Sequence, residues 1–195
     1  MDLPTLALFS LAAVLGAQLL LWGVSLLLRD ASIADVAWGP LFVVVASLGL
    51  VAGAGWEPRR IIVFVLVAVW GLRLGAHIGL RNRGKGEDPR YARWREEHGR
   101  WWALRSLATV FLLQGLIVWV VSLPVQLAAA APEPARLTWI DALGIAVWTV
   151  GFALEAVADA QLRRFIREKR AGETSAPFLA SGLWRYSRHP NYFGE

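Results

Sequence analysis

Residues 3–28 read LPTLALFSLAAVLGAQLLLWGVSLLL, 26 positions without a charge. About 20 apolar residues carry a helix across the ~30 Å of bilayer hydrocarbon, so this run is long enough to span. It lacks the basic flank and short apolar core of a cleavable signal, and Arg29 and Asp30 follow it directly, so it reads as a retained helix. Working outward, Val36–Trp56 supplies 21 more uncharged residues and Ser106–Pro132 another 27. Two further apolar stretches carry charges inside them: Ile61–Leu80 holds Arg73 and His77, and Trp139–Leu162 holds Glu155 and Asp159. Helices are predicted at 4–28, 36–55, 61–80, 107–128 and 139–162. None of these runs alternates as barrel strands would, and a helix satisfies its own backbone in lipid. The expected fold is an all-α, polytopic helical membrane bundle with five spans in the chain.

Composition agrees. Hydrophobic residues make up 56% of the 195 positions and charged residues 18%, with a mean hydropathy of +0.47. That leaves too little polar surface to cover a water-facing globule. Zero cysteines remove thiolate, zinc-thiolate and iron–sulfur chemistry. The net charge of +5 raises the question of nucleic acid, but the cations sort by side. Eight fall between the third and fourth predicted spans, seven after the fifth and one between the first two; the alternate loops hold only Arg59, Arg60 and Arg136. Sixteen against three predicts an N-terminus outside and basic segments in the cytoplasm, and no nucleic-acid partner is expected. Trp22, Trp56, Trp101, Trp102 and Trp139 fall near span ends, as an aromatic belt would. No phosphate-loop, dinucleotide-fold, serine-elbow or HExxH motif is present.

Ionisable groups inside spans are costly and by default point to function. Arg73 and His77 are four apart and share a helix face, as do Glu155 and Asp159. These faces serve either to pair helices or to meet a ligand. Two carboxylates beside a basic rim suit a ribose or a base, and no metal is expected. Asp35 stands at the predicted start of the second helix, as an N-cap or as a polar group facing an apolar cavity. Arg81–Asp88 interleaves cations, among them Arg83 and Lys85, with Gly84 and Gly86, which lets backbone N–H groups approach an anion. Arg163 and Arg167, on a basic helical continuation after the fifth span, could clamp phosphates or meet lipid headgroups. The closing segment gathers Tyr186, Arg188, His189, Asn191, Tyr192 and Glu195, where Pro190 opens what reads as another helix.

The stretch Gly182-Leu-Trp-Arg-Tyr-Ser-Arg-His-Pro-Asn-Tyr-Phe-Gly-Glu195 resembles the signature of membrane proteins with a steroid 5α-reductase-like C-terminal domain. Asp35-Val-Ala-Trp-Gly39, Trp70-Gly-Leu-Arg-Leu-Gly-Ala-His77, Asn82-Arg-Gly84 and Gly86-Glu-Asp-Pro-Arg-Tyr91 belong to the same resemblance. It covers nearly the whole chain. It implies a seven-helix fold, of which this chain would be a fragment: one transmembrane domain over 1–195 truncated at its C-terminal end, a cytoplasmic basic loop at 81–105 and a cofactor region at 155–195. It also implies NADPH entering from the cytosol. Asn191 and Glu195 match contacts to the nicotinamide carboxamide, Asp159 an acidic residue near the adenosine, and Arg83 a phosphate-side arginine. Asp35 lies roughly where the reductases carry a glutamate that hydrogen-bonds the substrate ketone. The reductases also use a tyrosine on helix 3, where this chain has Trp70, Arg73 and His77 instead. The expected activity is NADPH-dependent reduction of a C=C bond conjugated to a ketone in a steroid-like or isoprenoid lipid, with Asp35, Arg73 and His77 as catalytic candidates. Arg-His-Pro-x-Tyr-x-Gly also occurs in isoprenylcysteine carboxyl methyltransferases, so methyl transfer from S-adenosylmethionine, with Arg188, His189 and Tyr192 around the donor, is the rival. A non-enzymatic lipid-binding protein is the third reading.

Overall fold

The computed structural model describes residues 1–195 and contains helices and turns only. Five helices are long and apolar enough to cross a membrane: Leu3–Leu28, Ile33–Ala52, Glu57–Asn82, the composite Pro89–Val121 and Trp139–Arg170. The chain forms two compact units, Met1–Arg136 and Leu137–Glu195.

In the first unit, α1 (Leu3–Leu28) starts where the Asp2 carboxylate accepts from the Thr5 amide at 3.1 Å, with Pro4 in the first turn. It ends at Arg29, whose left-handed φ of 53° returns its N–H to the Ser25 carbonyl. Helix α2 (Ile33–Ala52) begins three residues earlier than the charge-free run predicts, because Asp35 is tolerated in the first turn. Asp35 is therefore inside the helix and is not its cap. Ser32 holds the cap position without a side-chain capping bond, since its hydroxyl instead accepts from the Asp88 amide at 2.7 Å.

Helix α3 (Glu57–Asn82) packs closely on α2 through small residues. A Cβ built on Gly39 would lie 2.3 Å from the Gly71 carbonyl oxygen, and one on Gly75 would lie 2.9 Å from the Pro40 ring. Gly75 thus makes room for a proline that sits inside α2. In lipid, where burial supplies little drive between helices, such backbone approach provides the contact.

The basic stretch expected as a loop up to residue 105 is helical from Pro89 onward. Helix α4 (Pro89–His98) leads through a 3₁₀ turn (Gly99–Trp101), α5 (Trp102–Ser106) and a π-helical turn (Leu107–Leu112) into α6 (Leu113–Val121). Helix α7 (Leu123–Ala130) follows, with Pro124 in its first turn. The Trp22 indole donates to the Ala103 carbonyl at 3.0 Å and the Trp119 indole to the Ala7 carbonyl at 2.8 Å, joining α1 to the composite helix near both ends. The core follows in three patches: Leu6 with Ala129 and Ala130, then Val14, Leu41, Phe42, Val45 and Val118, then Ala31, Ala34, Tyr91, Trp102, Val110 and Phe111.

In the second unit, a capping box between Thr138 and Asp141 starts α8 (Trp139–Arg170). Its 32 residues extend about 48 Å, longer than the hydrocarbon layer, so the span runs on into its basic last turns as the sequence predicts. The chain then turns back through a 3₁₀ turn (Gly182–Arg185) to α9 (Pro190–Gly194). Gly194 and Gly151 approach so closely that a Cβ on either would lie 2.5–2.6 Å from the other's carbonyl oxygen.

Candidate functional site

In the first unit the polar chemistry gathers on Asp35. The Tyr91 hydroxyl donates to Asp35 Oδ1 at 2.7 Å, Arg90 Nη2 donates to Oδ2 at 3.0 Å, and Gln114 Nε2 approaches Oδ1 at 3.4 Å. Both carboxylate oxygens are therefore acceptors. Tyr91 is 5% exposed and stands in an edge-to-face contact with Trp94, while the Arg90 guanidinium reaches solvent. Arg90 also binds Asp88, through Nε to Oδ1 at 2.9 Å and Nη2 to Oδ2 at 3.2 Å. That guanidinium holds the Asp88 carboxyl below its ordinary value of 3.8.

The turn before α4 fixes this arrangement. Glu87 accepts a bidentate pair from Arg95, Nη2 to Oε1 at 2.7 Å and Nε to Oε2 at 3.0 Å, and Oε1 also accepts from the Ala31 amide at 2.8 Å. The Arg95 guanidinium in turn lies over the Trp102 ring, 5.3 Å from its centre. With Asp88 bonded to Ser32, two acidic neighbours tie the start of α4 to the turn before α2, and so set Tyr91 against Asp35. In the same turn Arg83 and Lys85 are exposed, and Gly84 and Gly86 take φ values of 75° and 73° that favour glycine. Arg73 and His77 lie on α3, both half-buried.

In the second unit Glu155, Ala158 and Asp159 form the buried face of α8, at 2%, 0% and 3% exposure. Asn191 on α9 donates from Nδ2 to Asp159 Oδ1 at 3.3 Å. Asn191 Oδ1 is buried with no hydrogen-bond partner. The return of the chain is held by the Trp184 indole, which donates to the Ala158 carbonyl at 3.0 Å, and by the Leu183 amide, which donates to Gln161 Oε1 at 3.0 Å. Gly182 has a φ of 61°, and a Cβ there would strike the Gln161 amide at 2.5 Å. Arg163, Arg167, Tyr186, Arg188, His189, Tyr192 and Glu195 are all exposed, the His189 and Tyr192 rings lying 5.3 Å apart.

Of the residues expected from sequence, the structure joins Asp159 to Asn191 directly. It joins Asp35 to Arg90, Tyr91 and Gln114, which the sequence reading did not select. Tyr91 ends the Gly86–Tyr91 motif quoted above, so its signal was present; its partner, 56 positions away, was not.

The profile of the family described as "Protein of unknown function (DUF1295)" matches residues 21–195. A protein of Schizosaccharomyces pombe, named Uncharacterized protein C594.04c, is 28% identical over 198 residues, covering 90% of this chain and 57% of its own length. The chain therefore spans little more than half the length of this curated relative. No solved structure matches it. With a profile match over nine-tenths of its residues, the chain belongs to the DUF1295 family.

Proposed function

We propose that this protein reduces a C=C bond conjugated to a ketone in an isoprenoid or steroid-like lipid, using NADPH. The observation that carries the proposal is the Tyr91–Asp35 hydrogen bond of 2.7 Å, in a unit built from apolar spans. Reduced nicotinamide, when bound, supplies the hydride taken up at the carbon β to the ketone. Charge then develops on the ketone oxygen, where a donor lowers the barrier, and the resulting enolate takes a proton from water at the carbon α to the ketone. Tyr91 is that donor: its hydroxyl turns from Asp35 to the ketone, while Arg90 and Gln114 keep the Asp35 carboxylate satisfied. This assigns Asp35 the positioning of Tyr91. Tyr91 then takes the part of the tyrosine that the reductases resembled by this sequence carry on helix 3.

The second unit, taken by itself, carries groups that support a cofactor's carboxamide. A primary carboxamide offers an N–H to the unpartnered Asn191 Oδ1 and, by displacing Asn191 Nδ2, a further donor to Asp159. Because Asn191 and Asp159 are hydrogen-bonded to each other, both are assigned to the carboxamide end; the resemblance had put Asp159 at the adenosine. The orientation proposed with this reading has the N-terminus outside and the basic segments cytoplasmic.

Calorimetric titration of the full-length protein in detergent tests the cofactor assignment. NADPH is expected to bind and S-adenosylmethionine to give no heat, with Asn191→Leu weakening NADPH about tenfold. Binding of S-adenosylmethionine alone would establish the methyl-transfer reading instead. Tyr91→Phe is expected to keep NADPH affinity and lower enone turnover about 100-fold; unchanged turnover would remove Tyr91 from the chemistry.

A further inference from the structure

In the second unit, a cleft of about 640 Å³ opens where the returning chain crosses the last turns of α8. Its walls are Leu162 and Phe165 of α8 and, from the return, Phe178 and Trp184, with Arg185 and Arg188 at the polar side. No carboxylate or side-chain amide lines it. That lining has hydrocarbon and aromatic surface for a chain and two guanidiniums for an anion, with the Tyr186 and Ser187 hydroxyls beside them.

The position of the cleft selects among anions. Leu162 is the last residue of the apolar stretch of α8, and Arg163 and Arg164 follow it. The outward residues of α8 remain apolar and exposed down to this level, Val150 at 60%, Val157 at 47% and Ile166 at 39%. A molecule whose hydrocarbon lies along such a helix and whose charge sits at its end meets the apolar wall and the arginines together. Aromatic rings and arginines at a span end form the usual meeting point for a lipid headgroup.

We infer that this cleft is a binding site for a single anionic phospholipid, its acyl chain against Leu162, Phe165 and Phe178 and its phosphate on Arg185 and Arg188. Tyr186 and Arg188, cofactor candidates of the sequence reading, then belong to the lipid, and the Asp159–Asn191 pair stays with the ligand described above. The inference stands independently of the reductase reading.

Native mass spectrometry of the full-length protein in detergent, titrated with dioleoyl phosphatidylglycerol or dioleoyl phosphatidylcholine, tests it. One phosphatidylglycerol is expected to be retained well above the phosphatidylcholine level. The double variant Arg185→Gln/Arg188→Gln should lower that affinity about 30-fold, the loss expected for two surface guanidiniums. Arg188→Gln alone should lower it about fivefold and, being exposed, provides the same reading if the double variant does not fold. Equal retention of the two lipids, or retention indifferent to both variants, would overturn the site. So would competition in which NADPH displaces the bound phosphatidylglycerol, since the cleft would then belong to the nucleotide.

Discussion

Asp88 shows how much a single side chain organises in this protein. Its carboxylate caps α4 by accepting from the Arg90 amide and side chain at 2.9 Å each, and its own amide reaches across to Ser32. Replacing it with Ala should cost about 1 kcal/mol, an exposed cap's contribution discounted for solvent screening of the ion pair. The pH dependence has a definite sign. Because Arg90 holds the folded carboxyl below 3.8, the stabilisation is complete above that ordinary value and is lost as pH falls through the lower folded one. Chemical unfolding in detergent between pH 3 and 6 checks this: the gap between wild type and Asp88→Ala should close toward acid. A gap that widened toward acid would contradict the assignment. Sequence alone shows Asp88 only as one acidic residue in a basic turn, since the geometry that gives it four bonds depends on where α2 begins.

Elements were legible in proportion to how local their causes are. Apolar length placed α1, α2, α3 and the start of α8 within about four residues, because crossing hydrocarbon is a property of the segment itself. It missed the helical lead-in to the fourth span, which begins at Pro89. Arg90, Arg93 and Arg95 made that region read as loop, whereas Asp88, Pro89 and the Glu87–Arg95 pair make it a helix. The α2–α3 contact was also hidden, since glycines at 39, 71 and 75 carry no outward mark of being opposed. Its test is Gly71→Val: the added carbons would meet the Gly39 carbonyl oxygen at 2.6 Å and Val43 at 2.9 Å, forcing the helices apart. A loss of about 1–3 kcal/mol is expected by thermal unfolding in detergent. Gly16→Ala, in α1 with nothing within 4 Å, serves as the control and should be neutral or slightly stabilising. Equal effects of the two would remove the close approach as the reason for the glycines.

For the whole molecule, the chemistry divides by unit: Asp35, Tyr91 and Gln114 belong to the first, Asp159 and Asn191 to the second. The first set could not be assembled from sequence, because Asp35 meets partners 55 to 79 positions away. Of the second, Asn191 and Asp159 were each singled out in the sequence, but their pairing across 32 positions was not. The cation distribution predicts an orientation, because cations resist transfer across a membrane irrespective of how the helices pack. A cofactor drawn from the cytosol requires the basic turn at 83–88 and the end of α8 to face it. The absence of native cysteine makes this simple to read. Lys85→Cys and Ala135→Cys both occupy exposed positions, on opposite sides of the proposed membrane. A membrane-impermeant maleimide applied to intact cells is expected to label Ala135→Cys at once and Lys85→Cys only after permeabilisation. The reverse pattern would turn the basic segments outward and, because NADPH is cytosolic, would withdraw the proposed cofactor together with the orientation.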